Sequence, residues 1–182
     1  MREGPHCLFF DRSLICQRMN TRDPVRVLVA DDHTIVREGI VRILRDSEEI
    51  EVVGEAGDGA EATRKALETS PDVVVMDLSM PRISGLEATR RIREALPQTR
   101  ILVLTMHDED EYILGSVRAG VSGYLLKDEA PSELLPGIRA LKDGKCYFAP
   151  STFQALARAC RDRVPDLADP RGQSAGGERG AG

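Results

Sequence analysis

Apolar runs of four to six residues alternate along this chain with segments in which apolar residues recur at helical spacing. The short runs have the length of strands, and the spaced segments have the period of helices that turn one face to a core. Five strands are expected: VRVLVA (Val25 to Ala30), EVVGEA (Glu51 to Ala56), DVVVMD (Asp72 to Asp77), RILVLT (Arg100 to Thr105) and GYLLK (Gly123 to Lys127). The first, third and fourth are nearly continuous Val, Ile and Leu, as strands covered on both faces should be. Val36, Ile40, Ile43 and Leu44 form one helical stripe; Leu86, Ile92 and Leu96 help form another, and Leu134, Ile138 and Leu141 a third. This alternation predicts βαβ units, hence an α/β domain: a doubly wound, five-stranded parallel sheet with helices on both faces.

Turn chemistry falls between these elements: GDGAEA opens the second helix, SPD the third strand, RAG closes the fourth helix and DGK follows the fifth. The acidic run Asp108 to Glu111 suits a first helical turn, where negative side chains complement the helix dipole. One local rule is broken. Pro136 and Gly137 stand inside the fifth helix, where an interior proline removes a backbone bond at a cost of about 3 kcal/mol, so that helix is expected to kink or to start late.

Length and composition narrow the picture. The 182 residues suit one domain of roughly 100 to 150 residues with tails. Residues 24–146 are expected to form it, 147–164 a linker with a short helix, and 165–182, rich in Pro, Gly and Ala, a disordered tail. Residues 1–23 are expected to be a disordered extension or a mis-called start, with Met19 the true one. Their CLFF and LIC runs are split by Asp11 and Arg12, far short of the roughly 20 apolar residues that span a bilayer. A signal peptide's continuous apolar run is missing as well, so a cytoplasmic setting with no membrane partner is expected.

Residues 24–150 carry 16 Lys and Arg against 23 Asp and Glu, a balance of −7, so no nucleic-acid footprint is expected there. Aromatics make up 4% of the chain and Trp is lacking, which argues against a stacking surface for single strands. Cys7, Cys16, Cys146 and Cys160 lie far apart without a CxxC pair, so neither zinc nor a disulfide framework is expected.

The chemistry is expected at one edge of the sheet, because in an open parallel sheet ligands bind beyond the carboxyl ends of the strands. Asp31 and Asp32 follow the first strand, Asp77 ends the third, Thr105 the fourth and Lys127 the fifth. A single Asp after a strand is ordinarily a helix cap or turn residue, and a lone Lys or Thr is a solvated or capping one. Together they form a different set: three carboxylates that need a cation, with oxygen ligands that favour a hard ion such as Mg²⁺. An ammonium and a hydroxyl nearby complete an arrangement for stabilising a phosphoryl group, with Asp77 as the nucleophile.

VLVADDH, PDVVVMDLSMP, ILVLT and AGVSGYLLKD jointly resemble the receiver domain of bacterial two-component response regulators, across Val25 to Lys145. ADDH, MDLSMP and GYLLKD look most like its NarL/FixJ (LuxR-type) subfamily. The resemblance implies the flavodoxin-like strand order 2-1-3-4-5. It also implies that Asp77 is the phosphoacceptor, supplied by a sensor histidine kinase, with Mg²⁺ as the cofactor. Asp32 would bind Mg²⁺ directly, Asp31 largely through water, and the Ser79 backbone carbonyl would complete the protein's share of the shell. Thr105 would swing to the phosphoryl group, Lys127 would pair with it, and Tyr124 would turn inward as an aromatic switch. Ser79, where the subfamily more often has Asn, and His107 would bear on the lifetime of the phosphorylated state. Homodimerisation on phosphorylation is a further implication, and Pro136 and Gly137 disturb a helix such proteins often use for it.

A regulator of this subfamily continues into a helix-turn-helix DNA-binding domain, and no such pattern follows Pro150. The expected role is therefore a signalling receiver, not an enzyme, within a transcriptional regulator whose DNA contact lies in a C-terminal domain outside this chain. The alternatives are a stand-alone receiver acting through protein contacts, a degenerate receiver, and a Mg²⁺-dependent phosphohydrolase with an aspartyl-phosphate intermediate. That last class usually carries DxD after its first strand, where this chain reads ADDH.

Overall fold

The computed structural model describes residues 23–161; the expectations for the first 22 residues, Met19 among them, and for residues 162–182 lie outside the described residues. Strands and helices alternate in the order β1 (Val25–Ala30), α1 (Thr34–Arg45), β2 (Ile50–Ala56), α2 (Gly59–Thr69), β3 (Val73–Met76), α3 (Gly85–Ala95), β4 (Arg100–Thr105), α4 (Asp110–Arg118), β5 (Gly123–Leu126), α5 (Ala130–Lys142), β6 (Tyr147–Phe148) and α6 (Pro150–Arg161).

All strand pairings are parallel, in the order β2-β1-β3-β4-β5-β6. The expected five strands hold the expected order, and the count is corrected to six. The added strand has only two residues, too few for any period to show. It forms because the chain leaving α5 returns along the β5 edge, where the Tyr147 N–H donates to the Ser122 carbonyl at 3.0 Å and the Tyr147 hydroxyl meets Glu133.

The alternation of β1 sorts the core. Val25, Val27 and Val29 pack with Ile40, Val41 and Leu44 of α1 and with Leu134, Ile138 and Leu141 of α5. Leu28 and Ala30 face the other way, against Ala62 and Ala66 of α2 and Ala88 and Ile92 of α3. The small alanines of α2 and α3 let those helices lie close to the sheet and to each other. A third group, Val103, Ile113 and Tyr124 with Leu78, sits under α4, and Phe148 and Leu156 pack against it from β6 and α6.

The fifth helix does not start late: α5 begins at Ala130 and continues through Pro136. Pro136 is exposed, so the carbonyl it leaves without an intrahelical donor is on the solvent side, where water can serve it. Among the described residues no helix is long and apolar enough to cross a membrane.

Candidate metal and phosphoryl site

Backbone ladders carry the key side chains to one place. The Asp31 N–H continues the sheet by donating to the Ala56 carbonyl at 3.0 Å, the Asp77 N–H to Ala30 at 2.8 Å, and the Lys127 N–H to Thr105 at 2.9 Å. Each of these residues is thus the first beyond its strand yet is still held by a sheet-type bond to the neighbouring strand. This registers residues from three distant parts of the sequence with the precision of the sheet.

Asp31 and Asp77 are 1% and 2% exposed, and Lys127 reaches both, with its Nζ 2.7 Å from Asp31 Oδ2 and 2.8 Å from Asp77 Oδ2. Burial works to lower the ammonium's pKa, but the two carboxylates outweigh it and hold Lys127 above the ordinary lysine value. Asp32, partly exposed, and His33 join them: ligand atoms of Asp31, Asp32, His33 and Asp77 all lie within 4.8 Å of one another. His33 enters through its neighbour, Nδ1 standing 2.9 Å from Asp32 Oδ1, while its N–H donates to Asp31 Oδ1 at 2.8 Å.

This donor set fits a hard divalent cation. Three carboxylates lie together with one ammonium, which Asp31 and Asp77 share, and the buried Asp32 Oδ1 accepts no hydrogen bond among the described residues. Three clustered carboxylates carry more negative charge than one ammonium balances, and a bound cation would offset the excess. Carboxylate oxygens suit Mg²⁺ better than a softer metal.

The remaining expected residues surround this cluster. The Ser79 N–H faces Asp77 Oδ1 at 3.3 Å. Thr105 and Tyr124 are both fully buried. The Tyr124 hydroxyl donates to the His107 carbonyl at 2.8 Å, and burial first, then the nearby Glu109 and Asp108, push its pKa far above the ordinary tyrosine value.

His107 bears more of the site than its sequence neighbourhood signals. Its N–H lies 3.4 Å from Thr105 Oγ1, its carbonyl receives Tyr124, and its Nε2 is 2.6 Å from Ser79 Oγ. The ring stacks on Tyr112 with centroids 4.1 Å apart. One residue therefore joins the loop after Asp77 to both Thr105 and Tyr124. Its place two positions after Thr105 marked it as bordering the site; these bonds depend on a loop path that no local pattern encodes. Asp58 and Arg82, which form an ion pair at the flank of the Asp77 loop, carried no sequence signal beyond a helix-opening turn.

The profile of the response regulator receiver domain matches residues 27–139. The chain is 46% identical over 127 residues to the uncharacterized transcriptional regulatory protein YxjL of Bacillus subtilis, covering 70% of this chain and 58% of that protein. It is 46% identical over 124 residues to the oxygen regulatory protein NreC of Staphylococcus haemolyticus, covering 68% and 57% respectively. The chain thus spans less than two thirds of these relatives.

Among solved structures, a LuxR-family two-component response regulator from Aurantimonas superposes with a TM-score of 0.73 at 41% identity, over 76% of this chain and 99% of that one. The isolated receiver domain of RcsB from Salmonella enterica, solved with the phosphomimetic BeF₃⁻, gives a TM-score of 0.68 at 31% identity, over 74% and 99%.

Proposed function

Because this chain belongs to the response regulator receiver domain family, and is thus a receiver of two-component signalling, we propose that Asp77 is its phosphoacceptor and that Asp31, Asp32 and Ser79 serve the Mg²⁺ that assists it. The observation that carries this reading is the shared ammonium: Lys127 stands 2.7 and 2.8 Å from two buried carboxylates, a charge arrangement that favours an incoming anion once a cation balances the acids.

In the proposed step an Asp77 carboxylate oxygen forms a bond to phosphorus, the bond from phosphorus to the donor's histidine nitrogen breaks, and that nitrogen takes a proton. Lys127 pairs with the arriving phosphoryl oxygens, and the Thr105 hydroxyl donates to one of them. Asp32 and the Ser79 carbonyl would hold Mg²⁺ directly and Asp31 largely through water; when bound, the ion neutralises the charge that develops on the phosphoryl oxygens. Tyr124, beneath α4, would read the displacement of Thr105 and pass it to the α4–β5–α5 face. The protein would accept one group per cycle rather than turn over a substrate.

The donor is proposed to be a sensor histidine kinase, the setting cytoplasmic, and residues 24–146 the signalling unit. For the whole protein we propose a transcriptional output with homodimerisation on phosphorylation and DNA contact through a C-terminal domain. The support is the relatives' names as transcriptional regulators and the RcsB dimers bound to DNA among the solved structures. Incubating the chain with Mg²⁺ and acetyl phosphate should give an acid-stable, base-labile phosphoryl adduct by intact mass. No adduct on the wild type, or an undiminished one on Asp77→Asn, rejects the assignment.

A further inference from the structure

The loop from Leu78 to Ser84 carries Ser79 away from Asp77 and is held unusually tightly. Arg82 adopts φ 65°, and the Ile83 N–H donates across it to the Pro81 carbonyl at 2.8 Å, a γ-turn of the rare positive-φ kind that is strained for a residue with a side chain. The loop is pressed from both ends. A Cβ on Gly59, the first residue of α2, would lie 2.3 Å from the Ile83 carbonyl oxygen, and one on Gly85 would lie 1.8 Å from the Asp77 carbonyl oxygen. Strain of this kind persists only where the surroundings over-determine it.

The agent on the α2 side is Asp58. It is 2% exposed, and its Oδ1 caps α2 by accepting from the Ala60 and Glu61 N–H groups at 2.8 and 2.9 Å. Its Oδ2 is left for the Arg82 guanidinium, which reaches it from the strained turn while the rest of that side chain stays in water.

We propose that the Asp58–Arg82 pair positions the phosphoacceptor loop: it ties the turn at Arg82 to the N-terminus of α2 and so fixes the path of Leu78 to Ser84, and with it the Ser79 carbonyl assigned above to the Mg²⁺ shell. This rests on the reading of Asp77 and Ser79 given above. Neither Asp58 nor Arg82 touches the reacting atoms; both act through the backbone they hold.

The test is a Mg²⁺ titration of the ¹⁵N-labelled full chain followed by backbone amide shifts, together with hydrogen exchange of the Ile83 amide in metal-free protein. Arg82→Ala removes the ion pair; Arg82→Gly removes it while relieving the positive φ, which protects folding. Both should weaken Mg²⁺ binding about fivefold, less than the roughly ten- to hundredfold typical of groups that orient metal ligands because the guanidinium is largely solvated. Both should also speed Ile83 exchange, whereas Arg82→Lys, which keeps the charge, should restore most of the affinity. Unchanged affinity in the Ala and Gly variants overturns the proposal. If the wild-type amides do not respond to Mg²⁺, the metal reading of the site fails instead; equal Ile83 exchange in wild type and Arg82→Ala then overturns the anchor as well.

Discussion

Asp31 and Asp58 occupy matching places and meet opposite fates. Each follows the end of a strand, β1 for one and β2 for the other, each is nearly fully buried, and each turns Oδ1 onto nearby backbone N–H groups. At Asp58 the second oxygen has its own cation in Arg82. At Asp31 the second oxygen must share the Lys127 ammonium with Asp77, with Asp32 close by. The first aspartate is consumed by structure. The second sits in a local conflict of like charges that the fold tolerates, and such conflicts are where function is expected.

The largest effect should come from removing the shared cation. Lys127→Ala leaves two buried carboxylates without their counter-charge and should cost about 3 kcal/mol of unfolding free energy in metal-free buffer at neutral pH, read from a shift in the urea midpoint. A midpoint like that of the wild type would mean the site is far more hydrated than its burial indicates.

Next is the structural aspartate. Asp58→Ala strips two N–H groups of α2 of their acceptor and leaves Arg82 unpaired, and should cost about 1 to 2 kcal/mol by the same measurement.

The comparison is sharpest in the neutral variants. Asp31→Asn relieves repulsion and should stabilise the metal-free protein by on the order of 1 kcal/mol while weakening Mg²⁺ binding. Asp58→Asn, which removes a fully compensated charge, should destabilise it. If the two substitutions move the urea midpoint in the same direction, the distinction between the two aspartates collapses.

The smallest effect lies at the edge of the α2 cap. Glu61 accepts from Lys65 and from the Gly57 N–H, and these bonds, the Lys65 one foremost, hold its carboxyl below the usual 4.5. A folded-state value depressed in this way stabilises the protein above the unfolded value and ceases to do so as pH falls through the folded one. The difference in melting temperature between wild type and Glu61→Gln should therefore be present at about pH 6 and shrink as the pH is taken down below 4.5. A gap independent of pH would assign the effect to packing instead of charge.

Much of this fold could be read in the chain because strands buried on both faces must be continuous Val, Ile and Leu, as at Val73–Met76 and Arg100–Thr105. The convergence of Asp31, Asp77 and Lys127 was readable for a related reason: in a parallel sheet all carboxyl ends share an edge, so strand ends name their own neighbours. What escaped depends on backbone paths without periodicity. A two-residue strand at Tyr147–Phe148 has no pattern to show. The tolerance of Pro136 depends on which side of α5 faces water. The contacts of Arg82 and His107 depend on loop turns, and in the first case on a positive φ that an arginine does not advertise.

The central claim is that Asp77, not its acidic neighbours, takes the phosphoryl group. Treating the phosphorylated chain with sodium borohydride reduces an acyl phosphate to an alcohol, converting the modified aspartate to homoserine, which peptide mass mapping can locate. The account predicts homoserine at position 77 and unaltered Asp31 and Asp32, dependent on both Mg²⁺ and phosphodonor; homoserine at 31 or 32, or at none of the three, would contradict it.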